Sequence, residues 1–168
     1  MSESLAGESL TGESLLGTLA PETALPGDSG QLVNLSDFRG RKVVLYFYPK
    51  DSTPGCTQQA QGFRDRFAEF APLSVEIVGV SRDSVKSHAN FKAKQELPFL
   101  LVSDAEEIWC QHFKVIKMKN MYGKQVRGIE RSTFILDEQG RIIKEWRKVQ
   151  VKNHIAEVLA YLQAAVSA

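Results

Sequence analysis

The run Val43-Val44-Leu45-Tyr46-Phe47-Tyr48-Pro49-Lys50-Asp51-Ser52-Thr53-Pro54-Gly55-Cys56 decides how this chain is read, because a strand, a sharp turn and a helix start follow one another without a break. Residues 43–48 are β-branched and aromatic enough to be an interior strand, and Pro49 ends it because proline brings no N–H to the ladder. After the Thr53-Pro54-Gly55 turn, residues 57–70 carry Ala60, Phe63, Phe67 and Phe70 at helical spacing. Cys56 therefore stands at or beside a helix N-terminus. Unpaired N–H groups and the positive end of the helix macrodipole favour a negative sulfur there, a setting that in general takes thiol pKa values from about 8.5 to roughly 3.5–7.5.

Working outward, residues 74–81 read as a second interior strand and residues 84–95 as an amphipathic helix capped by Asp83 or Ser84. Strand, helix, strand, helix implies a parallel βαβ unit. Upstream, residues 31–35 alternate like a strand and residues 36–40 turn. Downstream, residues 99–102 form a short strand, residues 104–113 a short helix with Glu106 and Glu107 in its first turn, and the polar, basic residues 114–128 a loop. Residues 132–136 and 142–146 flank Asp137-Glu138-Gln139-Gly140 as an antiparallel hairpin. Residues 153–164 put Ile155, Val158, Leu159 and Leu162 on one face of a last helix. The sum is an α/β chain with a thioredoxin-like fold, a mixed central sheet flanked by helices.

Composition narrows the class. The 168 residues suit one domain with a full core, and 43% hydrophobic with 24% charged residues is ordinary for a globular protein. No segment approaches the roughly 18 continuous apolar residues of a membrane span, so no membrane role is expected. Residues 1–38 hold six acids and no Lys or Arg, unlike a secretory or transit leader, and two cysteines without a C-x-x-C pair fit a reducing, cytoplasmic setting. Glu-Ser-Leu recurs at 3–5, 8–10 and 13–15 with a period of five, which sets successive leucines about 140° apart on a helix and builds no apolar stripe. Residues 1–15 thus read as a flexible acidic tail before a domain over residues 16–168. His88, His112 and His154 fall on three elements with no ligand spacing, so no metal is expected. Residues 114–131 hold six bases and one acid with Tyr122 among them. A solvated loop around Arg131 accounts for these bases better than a nucleic-acid surface.

Pro49, Thr53 and Cys56 reproduce the pattern P-x-x-x-T-x-x-C, and the wider string from Leu45 to Thr57 resembles the peroxiredoxins of the bacterioferritin comigratory protein, or peroxiredoxin Q, branch. Gly79-Val80-Ser81 with Asp83-Ser84, Leu101-Val102-Ser103-Asp104, and Arg131-Ser132-Thr133-Phe134-Ile135-Leu136-Asp137 extend the resemblance over about residues 16–165. It implies a thiol peroxidase that reduces hydrogen peroxide and organic hydroperoxides, needs no cofactor, and is recycled by thioredoxin or a glutaredoxin-like reductant. It also implies a monomer, with Cys56 as the peroxidatic cysteine, Thr53 and Arg131 as its polar partners, and Pro49 shielding the pocket. Those residue types suit the chemistry. A sulfur anion attacks the nearer peroxide oxygen and charge moves to the leaving oxygen, where fixed donors such as a guanidinium stabilise it. The Thr53 hydroxyl can accept from the peroxide or donate to the thiolate, and the N–H groups of Gly55 and Cys56 are candidate donors, with Gly55 allowing close approach.

The chain departs from that pattern in its second thiol. Position 61, where many relatives place a resolving cysteine, is Gln61, and the alternative in the next helix is Lys92. Gln59 stands where relatives commonly have glutamate. A one-cysteine mechanism follows, with an external thiol reducing the sulfenic acid. The alternatives are a two-cysteine peroxidase resolved by Cys110 and a non-catalytic thioredoxin-like binding module. A copper carrier would need a cysteine at Ala60, and a dithiol oxidoreductase one at Gln59.

Overall fold

A computed structural model describes residues 14–167. In chain order, β1 (Leu25–Pro26) and β2 (Leu32–Val33) make a short antiparallel pair, and a 3₁₀ turn follows at Leu35–Phe38. Then come β3 (Lys42–Phe47), α1 (Pro54–Asp65), the single turn α2 (Phe67–Phe70), β4 (Val75–Ser81), α3 (Val85–Gln95), β5 (Leu100–Ser103) and α4 (Ile108–His112). The chain closes with β6 (Ile116–Met121), β7 (Lys124–Ile129), β8 (Ser132–Leu136), β9 (Ile142–Trp146) and α5 (His154–Ser167).

Five strands form the central sheet in the order β9-β8-β3-β4-β5. β3 is its middle, parallel to β4 and antiparallel to β8, and the sheet is mixed as the sequence leads one to expect. Alternate residues of a strand face opposite sides, and β3 divides the core accordingly. Val43, Leu45 and Phe47 join Val80, Val102, Trp109, Cys110, Phe113 and Phe134 in one cluster. Val44, Tyr46 and the following Tyr48 join Cys56, Ala60, Phe63, Phe91, Leu101 and Leu159 in the other. The two cysteines are thus buried on opposite sides of the sheet.

Several expected boundaries move. The helix over residues 57–70 starts earlier, at Pro54, and is interrupted at Arg66, whose φ of −107° and ψ of 11° leave the helical region before one more turn forms. Only Leu32 and Val33 of residues 31–35 pair as a strand, since Leu35 already belongs to the 3₁₀ turn. The helix over 104–113 shortens to α4 because the Asp104 carboxylate caps it, accepting from Ile108 N at 2.8 Å and Cys110 N at 2.7 Å. The expected loop over 114–128 is a two-stranded ribbon, β6 with β7, hydrogen-bonded to no other strand among the described residues. Its turn has positive φ at Tyr122 (54°) and Gly123 (81°), the type I′ geometry that matches the twist of a hairpin. Of the tail expected over residues 1–15, residues 1–13 lie outside the described residues. Ser14 donates to Glu145 Oε2 at 2.7 Å and Leu15 is buried. Among the described residues no helix is long and apolar enough to cross a membrane.

Candidate active site

The loop between β3 and α1 carries the site, and proline sets its geometry twice. Pro49 follows the strand, and Pro54 occupies the first position of α1, where a missing N–H costs nothing. A residue before proline avoids the α region. Thr53 is accordingly extended, φ −84° and ψ 155°, which makes it the N-cap. Cys56 is the third residue of α1, only 2% exposed. The ladder begins with Thr57 N donating to Thr53 O at 2.8 Å, so the N–H groups of Gly55 and Cys56 have no carbonyl within the helix to bond.

Arg131, just ahead of β8, reaches across to this turn. Its Nη2 donates to Cys56 Sγ at 3.5 Å and its Nη1 to Gln59 Oε1 at 2.6 Å. Gly55 is needed for that approach, because a Cβ there would stand 3.1 Å from Arg131 Nη2. The sequence suggests that Gly55 lets the main chain approach the peroxide, and in the structure the space beside it is taken by the guanidinium. Thr53 is not bonded to the sulfur. Its Oγ1 donates to Lys50 O at 2.8 Å, which commits its hydrogen and leaves its lone pairs to accept from a ligand. Pro49 is half-buried at the end of β3. Cys110 is not part of this arrangement, since burial and the neighbouring Asp104 carboxylate push its thiol far above the ordinary range on the other side of the sheet.

Other groups here have no local sequence signal. Tyr46 lies in register between Gly79 of β4 and Thr133 of β8, its ring 4.8 Å from that of Phe63. A Cβ at Gly79 would come within 2.9 Å of Tyr46 Oη and of Leu101 Cδ2, so glycine is what admits the ring. Burial first, then the Cys56 sulfur and the Asp51 carboxylate, push the Tyr46 phenol well above its usual value and keep it a neutral donor. Its Oη and Gln59 Nε2 are buried without a hydrogen-bond partner among the described residues. Gln59 stands where relatives commonly carry glutamate. It proves to be the residue that holds the far side of the guanidinium.

Beneath the loop, Asp51 is buried and accepts from Tyr48 Oη at 2.6 Å and Ser87 Oγ at 2.8 Å, and its Oδ2 lies 2.7 Å from His88 Nδ1. His88 Nε2 is 2.9 Å from the Val102 carbonyl, which accepts only if that nitrogen carries hydrogen. The backbone N–H of Asp51 donates to Asp83 Oδ2 at 2.9 Å. Burial alone would raise the Asp51 pKa, but the bonds from His88, Tyr48 and Ser87 lower it. Ligand atoms of Asp51, Asp83 and His88 come within 4.8 Å of one another, although spacing along the chain showed no metal-type cluster. Their hydrogen bonds to one another and to Ser81, Ser87 and Tyr48 tie the loop to α3.

A thioredoxin-like sheet that presents one buried cysteine on the first turn of a helix, under a guanidinium and beside free backbone donors, defines the class of the thiol peroxidases. Residues 16–145 match the AhpC/TSA family, and the chain belongs to it. It is 54% identical over 147 residues to peroxiredoxin Bcp of Bacillus subtilis, covering 88% of this chain and 94% of that one. A solved structure of the Xanthomonas campestris bacterioferritin comigratory protein, described for its alkyl peroxide reduction activity, aligns with a TM-score of 0.81 at 52% identity, over 85% of this chain and 91% of that one. A cysteine-to-serine mutant of Xylella fastidiosa PrxQ aligns with a TM-score of 0.86 at 42% identity, over 90% and 96%. The protein is a peroxiredoxin, an enzyme that reduces a peroxide with electrons from a thiol.

Proposed function

We propose that Cys56 is the peroxidatic cysteine and that the enzyme works through this one thiol. The carrying observation is the Arg131 guanidinium 3.5 Å from Sγ, on a helix turn whose N–H groups at Gly55 and Cys56 are unspent. The thiolate attacks the nearer oxygen of hydrogen peroxide or an organic hydroperoxide. A sulfur–oxygen bond forms as the oxygen–oxygen bond breaks, leaving Cys56 as a sulfenic acid and releasing hydroxide or alkoxide, which takes up a proton. Arg131 stabilises the anion on sulfur and then on the leaving oxygen. The first-turn N–H groups donate to the peroxide, and Thr53 Oγ1 accepts its remaining O–H, lining up the attack. Pro49 shields the loop from water, and Gln59 keeps the guanidinium in place.

Burial of Cys110 on the opposite face of the sheet supports an external thiol as the group that reduces the sulfenic acid. At the two positions where relatives place a resolving cysteine, this chain has side chains in structural contacts. Gln61 Nε2 donates to Gln95 Oε1 at 2.8 Å, and Lys92 Nζ pairs with Asp28 at 3.2 Å. Thioredoxin or a glutaredoxin-like protein in the cytoplasm is the reductant of this reading, and the enzyme acts as a monomer. The test treats the reduced protein with one equivalent of peroxide in the presence of dimedone and maps the product by mass spectrometry. A dimedone adduct on Cys56 with Cys110 unmodified is expected. A quantitative Cys56–Cys110 bridge, or undiminished turnover by Cys56→Ser with thioredoxin, would sink the assignment.

A further inference from the structure

We propose that one face of the β6–β7 ribbon is the docking surface for the protein reductant, and that it receives a dithiol protein carrying acidic side chains around its nucleophilic cysteine. The inference rests on the one-cysteine reading, because only then must a foreign thiol be brought to Cys56.

The register fixes what the ribbon displays. Lys117 pairs with Gly128, Lys119 with Val126 and Met121 with Lys124, and paired residues share a face. That face carries three lysines, two apolar side chains and no acid. Met121 is 47% and Val126 40% exposed. At the base of the ribbon the opposite face is committed to the protein, since Ile129 is fully buried, Ile116 packs on the core and Arg127 is paired to Glu107, while Met118 nearer the tip of that face is 59% exposed. At the tip, Tyr122 is 99% exposed with φ of 54°. Asn, Asp or Gly is the ordinary choice at that position of a type I′ turn. A tyrosine there gives up turn propensity and holds an aromatic ring in solvent, and Tyr is a typical anchor of protein interfaces.

The lysine face is continuous with the active site. β7 runs through Glu130 directly into Arg131, the residue on the sulfur. Lys119 donates to the Ile129 carbonyl across the ribbon. Its own titration is lowered by burial first and by Arg131 second, against which the Glu130 carboxylate and then the Cys56 sulfur act. A partner whose cysteine reaches Cys56 therefore lies against lysines, so acidic side chains favour its approach. The chemistry balances. The reductant's thiolate attacks the sulfenic sulfur, an S–S bond forms as the S–O bond breaks, and hydroxide leaves and takes a proton to become water. The reductant's second thiol then displaces Cys56 as a thiolate, and the reductant leaves as a disulfide.

The experiment uses the full-length protein and a Tyr122→Asn, Lys124→Glu double variant, in which asparagine suits the turn. Three second-order rate constants are measured: oxidation by hydrogen peroxide, reduction by dithiothreitol, and reduction by a bacterial thioredoxin at two ionic strengths. Peroxide and dithiothreitol rates are expected to match the parent, while the thioredoxin rate falls at least about tenfold and loses most of its salt dependence. An unchanged thioredoxin rate would overturn the proposal and leave the one-cysteine reading standing. So would an equal loss with dithiothreitol, or a parent dimer in sedimentation that the variant abolishes. If neither thiol reduces the oxidised parent protein, both readings fall.

Discussion

Arg131 is the residue on which the site's electrostatics turn, because one guanidinium serves both the sulfur and Gln59. Removing a fixed donor aimed at developing charge costs about a hundredfold or more in rate. Arg131→Met is therefore expected to slow oxidation of Cys56 by about that factor in stopped-flow measurements, with Arg131→Lys recovering only part of it because an ammonium cannot span Sγ and Gln59 Oε1 together. Equal rates for the Met variant and the parent would remove Arg131 from the mechanism. Gly79 is the corresponding structural test. Gly79→Ala puts a methyl 2.9 Å from Tyr46 Oη and Leu101 Cδ2, in a strand interior where neither can give way freely. A loss of about 1–3 kcal/mol in urea unfolding is expected, as for other overpacked cores, and an unchanged midpoint would mean that the Tyr46 ring moves without cost. The place of Cys56 and Gly55 at a helix start was legible because a strand, a proline-glycine turn and a helical spacing announce it. Thr53 and Arg131 entered only through the resemblance, since a turn threonine and an arginine at a strand start are ordinary by themselves. Gln59 and Tyr46 were not legible, since what gives them meaning is contact with a guanidinium far along the chain and with a glycine on the next strand.

At the scale of elements, the interior strands and the helices between them could be read because apolar periodicity survives wherever an element is packed. β3, β4, α3, the β8–β9 hairpin and α5 all have a buried face that the sequence must supply. The ribbon escaped because it is an exposed ladder. Ile116, Met118 and Asn120 do alternate with Lys117, Lys119 and Met121, but long basic side chains on a two-stranded sheet look like loop composition. Its attachment to the body can be tested. Glu107 accepts from both Arg127 on β7 and Arg82 after β4, and the Arg127 bond in particular holds its carboxyl well below the usual range. Glu107→Gln weakens that clamp while leaving the buried Ile129 in place. Hydrogen exchange across residues 116–129 is expected to speed up with little change in global stability. Unaltered exchange there would show that the core contacts of Ile116, Val115 and Ile129 suffice to hold the ribbon.

For the whole molecule, the side of the sheet that carries Cys56 responds to acid through groups that are buried in one protonation state. His154 is 1% exposed, lies 2.8 Å from Thr133 Oγ1 and packs edge-on to Trp146. Burial first, and the Arg131 cation second, pull its pKa from 6.5 down to about 4. The folded protein therefore refuses a proton that the unfolded chain takes up near 6.5, so stability is complete at pH 7 and is lost as the pH falls from about 6.5 to 4. At 1.36 kcal/mol per unit, that single group is worth about 3 kcal/mol over the window. Asp51 acts in the same direction but lower. Its pKa lies below the ordinary carboxylate value of 3.8, and its share disappears only as the pH falls through that lowered value and the bonds to His88, Tyr48 and Ser87 are lost. Urea unfolding of the parent should thus show a first decline between pH 6.5 and 4 and a second one below it. His154→Gln, which keeps a hydrogen-bonding side chain without a titrating ring, is expected to flatten the first and spare the second. An identical slope between pH 6.5 and 4 in that variant would place the acid sensitivity elsewhere in the fold.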